Sequence, residues 1–177
     1  FLPFPLLFSI KSAKMVSTES FMSSPHLYCD SANQTGRNTM KIIAFGDIHM
    51  DTSSLTELEG ISRADLVIIT GDITNLGKRS EAKTVLNQIL RHNKNLLCLA
   101  GNLDNSDVND YLEGLGMNLH GQAHMVKRKV CIYGVGGSNK TPFATPWEFT
   151  EDELYRLILE AHHQARELID LAEPIVG

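Results

Sequence analysis

Four residues of this sequence have side-chain types and spacing that could do chemistry: Asp47, His49, Asp72 and Asn102. Asp47 and His49 stand one residue apart in "FGDIH". A turn there favours Gly, Asn, Asp or Ser, but has no need of an imidazole two residues after a carboxylate. Asp72 lies in "GDITN" and Asn102 in "GNLD", and each follows a Gly that closes an apolar run. Asp104 is a further candidate for the same cluster. Carboxylates, an amide and an imidazole gathered at one point crowd and repel one another unless a positive charge sits among them. A divalent cation supplies that charge, and mixed oxygen and nitrogen donors suit Mn, Fe or Zn better than Ca.

The elements around these residues predict that they meet. Three apolar runs, "MKIIAF" (40–45), "DLVIIT" (65–70) and "NLLCLA" (95–100), do not alternate with polar residues. Such runs suit strands covered on both faces. Between the second and third, Ala82, Val85, Leu86, Ile89 and Leu90 recur at helical spacing. A shorter segment around Leu55 and Leu58 separates the first two runs. "SDVNDYLEGLG" follows the third, with Ser106 as the expected N-cap and Gly114 or Gly116 as the stop. Strand–helix alternation with short links predicts an α/β domain with parallel strands. Ligands of such sheets bind off the carboxyl ends of the strands, where each of the candidate residues sits. Asp72 lies 25 residues after Asp47 and Asn102 lies 30 after Asp72, which suits one strand–helix–strand step each.

In this order, "GDIH", "GDITN" and "GNLD" resemble the calcineurin-like metallophosphoesterase family. That family's pattern runs D-x-H, G-D-x-x-D, G-N-H-D/E and then two later histidine motifs ending in G-H-x-H. The three blocks span residues 46–104. The resemblance implies a four-layer α/β/β/α sandwich, of which this chain would carry the front part. It implies two divalent metal ions, Mn, Fe or Zn. Asp47 and His49 would hold the first, Asp72 would bridge both, and Asn102 would hold the second. Asp72 and Asn102 would thereby be catalytic, and Asn75 and Asp104 would serve the substrate side. The implied activity is metal-dependent hydrolysis of phosphodiesters or phosphomonoesters by a hydroxide held between the metals. The implied partner is a small phosphorylated substrate. Two departures stand out. Leu103 occupies the position of a histidine thought to protonate the leaving group, and Asn75 replaces a carboxylate. The later histidine motifs do not occur, so the domain is expected to be incomplete at its C-terminal side. The alternative is an inactive member of the fold that serves as a scaffold or binding module.

The rest of the chain bounds these readings. It has 177 residues and a net charge of −5, an acidic balance that argues against a stable nucleic-acid partner. Three cysteines, an odd number with two inside apolar runs, read as buried hydrophobes in a reducing, cytoplasmic setting. "FLPFPLLFSI" is ten residues long with two prolines, too short to span a bilayer. Residues 1–39 read as an unstructured or non-native tail, and the domain as 40–177. "AHMVKRKVCIYGVGG" reads as two strands about a solvated "KRK" tip, and "GVGGS" as a tight turn. "SNKTPFATPWEF" reads as a connection pinned by aromatics, with a lid over the cleft as the second option. Thr150 and Glu153 predict a capping box on a long helix with Leu154, Leu157, Ile158, Ala161, Ala165, Leu168 and Ile169 as its core stripe. "EPIVG" reads as the start of another strand. His120, His124, His162 and His163 are expected to pack and not to ligate. Oligomeric state is left open.

Overall fold

The computed structural model describes residues 40–172. The tail over 1–39 and the strand expected from Pro174 lie outside the described residues. Three parallel strands, β1 (Ile42–Phe45), β2 (Leu66–Ile69) and β3 (Leu96–Cys98), form one sheet in that order. Ile42 pairs with Leu66, and Val67 pairs with Leu96. The continuous apolar runs are explained by what covers each face. Val67 and Ile69 point into one hydrophobic cluster, whereas Leu66 and Ile68 join another. Successive strand side chains alternate faces, so a strand buried on both sides needs apolar residues at every position.

Helices α1 (Arg79–His92) and α2 (Ser106–Gly114) cover the first face. Ala82, Val85, Leu86 and Ile89 of α1 are buried there, as are Val108 and Leu112 of α2. The shorter segment around Leu55 and Leu58 forms two short 3₁₀ turns, Ser53–Glu57 and Ile61–Arg63, and Leu55 and Ile61 anchor them in the core. Ser106 is the first residue of α2 and Asn105 its N-cap, a correction of one position. Asn105 is fixed there because its side-chain amide donates to the carbonyls of Leu76 and Gly77.

An antiparallel hairpin, β4 (Gln122–Val126) and β5 (Val130–Gly134), covers the second face. Its Val126 and Ile132 pack on Leu66, Leu97, Leu99 and Leu119. The opposite side of the hairpin, with Ala123, Cys131 and Tyr133, receives Ala161 and Ala165 of α3 (Glu151–Ala172). Helices, parallel sheet, hairpin and helix therefore stack as four layers, the α/β/β/α order expected. The capping box is present: Thr150 N–H and Oγ1–H donate to the Glu153 carboxylate, and Glu153 N–H donates to Thr150 Oγ1. The "KRK" tip is not simply solvated. Lys127 pairs with Asp65 at the start of β2, and Arg128 donates to the carbonyl of Ala172 at the end of α3. Cys98 is buried and Cys131 half-buried, and both are free thiols.

Candidate metal centre

The polar residues gather where the parallel strands end. β1 stops at Phe45, but its pairing with the chain after β2 continues. Asp47 N–H donates to the Gly71 carbonyl (3.1 Å), Ile48 and His49 N–H both donate to the Asp72 carbonyl (2.9 and 3.0 Å), and Met50 N–H donates to the Ile73 carbonyl (3.1 Å). The segment that carries Asp47 and His49 is thus hung on the backbone of Asp72. Ile48, buried between them, turns into the core and leaves its two neighbours exposed.

This arrangement requires unusual backbone. Asp47, His49, Met50, Asp72, Leu76 and Ala144 have φ between 46° and 71°. Among the described residues, the other non-glycine positions with positive φ are Lys127 and Arg128 of the hairpin turn. Left-handed backbone is costly for side chains with a Cβ and concentrates where function demands a geometry. Here it turns three side chains toward one point. Ligand atoms of Asp47, His49 and Asp72 all lie within 4.8 Å of one another. Among the described residues this is the one group of three carboxylate, imidazole or thiol side chains so gathered.

The end of β3 is pressed against Asp72. A Cβ on Gly101 would fall 2.1 Å from both the backbone nitrogen and Oδ1 of Asp72. Only glycine fits there. Beyond it, Leu103 N–H donates to Asp72 Oδ1 (2.9 Å), which fixes the rotamer of the half-buried carboxylate. Burial pushes the Asp72 carboxyl above its ordinary value; the Leu103 N–H opposes this, Asp104 and Asp47 add to it, and His49 offsets part. Two carboxylates and an imidazole in this space are a donor set that fits a divalent cation.

Asn102 is half-buried beside this cluster. Its side-chain amide donates to Thr145 Oγ1 (3.3 Å) and its carbonyl accepts from Trp147 N–H (3.2 Å). The loop over 140–147 is thereby tied to the site, and Glu148 organises it. The Glu148 carboxylate accepts from the N–H and Oγ1–H of both Thr141 and Thr145, and these bonds bring its carboxyl down to about 2. Two short strands, β6 (Ser138–Asn139) and β7 (Glu148–Phe149), pair in parallel at the base of the loop and were not legible in the sequence. Trp147, Phe149 and His120 pack together beneath it.

Asp104 takes a different place from the one expected. It is fully buried, and its carboxylate accepts from Ile73 N–H (3.1 Å), Thr74 N–H (2.7 Å), Thr74 Oγ1–H (2.7 Å) and Gly101 N–H (2.8 Å). It braces the ends of β2 and β3 and presents no free oxygen to a substrate. Asn75 is exposed between Thr74 and Leu76. His120, His124 and His162 pack away from the cluster, and His163 is exposed on α3. His120 accepts from Gly136 N–H at Nδ1, and burial holds its pKa below the ordinary value. His124 Nε2 lies 2.8 Å from the Asn118 carbonyl, and His162 meets the Tyr133 ring edge-on. In "GVGGS" the Gly136, Gly137 and Ser138 N–H groups are likewise committed, to His120 Nδ1 and to the carbonyls of Ala100 and Trp147.

Comparison with known proteins agrees with this geometry. The model of the calcineurin-like phosphoesterase family matches residues 40–173. The uncharacterized protein MJ1162 of Methanocaldococcus jannaschii is 34% identical over 120 residues, which make up 68% of this chain and 54% of the relative. The chain therefore spans about half the length of that relative. No solved structure matches significantly. No helix among the described residues is long and apolar enough to cross a membrane. With its strand-end motifs, its four layers and its cluster of Asp47, His49 and Asp72, the chain belongs to the calcineurin-like phosphoesterase family.

Proposed function

We propose that the chain is a metal-dependent phosphoesterase acting on a small phosphorylated substrate. The observation that carries this is the convergence of Asp47, His49 and Asp72 within 4.8 Å at the strand ends. These three residues would hold one divalent ion, Mn, Fe or Zn, and Asp72 with Asn102 would hold a second. When bound, such ions supply positive charge for phosphoryl oxygens and make a water nucleophilic at neutral pH. The protein's own part is positioning. Leu103 N–H occupies Oδ1 of Asp72 and orients that carboxylate. Thr145 restrains the Asn102 amide. Asn75, exposed and neutral, offers a hydrogen-bond donor for a phosphate oxygen. Free thiols at Cys98 and Cys131 fit a reducing compartment such as the cytoplasm.

A second reading is a member of the fold that binds a partner in place of catalysis. Leu103 favours it, because an aliphatic side chain cannot protonate a leaving group. Hydrolysis of an aryl phosphodiester, measured with and without Mn²⁺ alongside calorimetric Mn²⁺ titration, separates the two. The phosphoesterase reading expects Mn²⁺ binding and Mn²⁺-dependent turnover, both lost in Asp72→Asn. Mn²⁺ binding without turnover by the folded chain would favour the scaffold. A folded chain that binds no Mn²⁺ would overturn the metal centre itself.

A further inference from the structure

We infer that Glu148 is a positioning residue of the metal centre: through the hydroxyl of Thr145 it decides which end of the Asn102 amide is left for a cation. The inference rests on the reading of Asn102 as a metal ligand. An amide side chain has two ends of nearly equal size, an oxygen with lone pairs for a cation and an N–H₂ with none. The backbone around Asn102 is already held. Gly101 N–H donates to Asp104 (2.8 Å), the Asn102 carbonyl accepts from Trp147 N–H (3.2 Å), and Leu103 N–H donates to Asp72 (2.9 Å). These bonds fix the chain on both sides of the amide but not the half turn that exchanges its two ends.

The side chain of Asn102 meets Thr145 Oγ1 at 3.3 Å. A hydroxyl alone cannot choose between the two ends, because it both donates and accepts. Glu148 removes that freedom. Its carboxylate accepts from Thr141 Oγ1–H and Thr145 Oγ1–H at 2.6 Å each, and from the N–H groups of Thr141 and Thr145 at 3.1 and 2.8 Å. An O–H···O distance of 2.6 Å is that of a hydroxyl donating to an ionised carboxylate. The same four donors bring the carboxyl down to about 2, so it has no proton to return. With its single proton committed to Glu148, Thr145 Oγ1 has only lone pairs for Asn102. The N–H₂ end alone can meet them, and Oδ1 is the end left over. Were the amide turned about, two acceptor oxygens would face each other and the N–H₂ would take the ligand's place. The pairing of Ser138 with Glu148 and of Asn139 with Phe149 closes the base of the loop and sets this carboxylate against both threonines.

The test is calorimetric Mn²⁺ titration of the 177-residue chain and its variants, with thermal melts to show that each is folded at the temperature used. Asn102→Ala measures what the amide contributes. Thr145→Val keeps the side-chain shape and the Thr145 N–H bond to Glu148 but removes the hydroxyl. It should weaken Mn²⁺ binding by about tenfold, the lower end of the effect of groups that orient a ligand. Thr145→Ser returns the hydroxyl and should restore the affinity. Glu148→Gln offers an N–H₂ in place of one acceptor, which frees the hydroxyl to donate to Asn102, and it should lose affinity as Thr145→Val does. Thr145→Val added to Asn102→Ala should cost nothing further, because the hydroxyl acts through that amide; a merely structural role would add its own loss. Full affinity in Thr145→Val or Glu148→Gln, no rescue by Thr145→Ser, or a further loss in the double variant would overturn the inference and leave the phosphoesterase reading standing. Full affinity in Asn102→Ala would remove Asn102 from the centre, and the inference with it. A folded unsubstituted chain that binds no Mn²⁺ would overturn both the inference and the phosphoesterase reading.

Discussion

Replacing Asp104 with alanine should be among the most damaging single changes in this domain. The carboxylate is fully buried and satisfies three backbone N–H groups and one hydroxyl. The hydroxyl of Thr74 can rotate to another partner, but the amides of Ile73, Thr74 and Gly101 cannot. Stranding a buried donor costs about 1–1.5 kcal/mol at the lower end of measured values, so three cost about 3–5 kcal/mol. That is a large share of the roughly 5–15 kcal/mol that holds a domain together. The melting temperature should fall by about 10–20 °C for a domain of this size. Urea unfolding followed by Trp147 fluorescence measures the loss directly. Asp104→Asn keeps one acceptor but aims an N–H₂ at donors, and it should fall between the parent and the alanine variant. A loss below about 1 kcal/mol for Asp104→Ala would refute the reasoning, because the amides would then have found water or other partners. The same variant should bind Mn²⁺ more weakly at temperatures where it is still folded. Ile73 and Gly101 adjoin Asp72 and Asn102 in the chain, and Asp104 keeps their strand ends together.

Gly101→Ala should lower Mn²⁺ affinity by about 10–100-fold, the effect typical of disturbing the groups that orient a ligand. The added Cβ falls 2.1 Å from Asp72 Oδ1, so the ligand must move; unchanged affinity by calorimetry would count against the packing described. Thr150→Ala should destabilise the start of α3 by about 1 kcal/mol, and an unaltered urea midpoint would refute its role as a cap. Glu148 gives a pH signature. Its carboxyl is lowered from 4.5 to about 2 in the folded chain, so its contribution is present above about pH 4.5 and is lost as pH falls toward 2. Glu148→Gln should flatten the decline of melting temperature across that window, and an unchanged decline would mean that the threonine bonds do not matter to stability.

The parallel half of the fold was legible because its signals are local. Val67 and Ile69 serve one core and Leu66 and Ile68 the other, so the strand had to be apolar throughout. The α1 stripe and the capping box of Thr150 with Glu153 were also readable, since periodicity and caps act over a few residues. Asp47, His49 and Asp72 could be paired from sequence because a parallel sheet aligns strand ends, and the structure brings those three together. Asp104 was misread because a carboxylate in a motif looks the same whether it faces a ligand or braces two loops. Only its burial and four donors separate the two roles. The pairing of Lys127 with Asp65 and the β6–β7 pair were hidden because they join segments that only the folded layers bring close. The burial of Leu55 in a 3₁₀ turn escaped helix periodicity because that segment is too short to display a repeat.

The segment from Met117 to Gly121 has a mechanical consequence. Cys98 N–H donates to the Met117 carbonyl and Leu119 N–H to the Cys98 carbonyl, so the segment is sewn to the edge of the parallel sheet. Two residues later Gly121 N–H donates to the Gly134 carbonyl, at the root of the hairpin. One short run of chain is therefore riveted to both sheets, and neither can shear past the other without first tearing that seam. Under a stretching force the two sheets should yield together, as a single event with one rupture peak, and not as two domains that part in sequence.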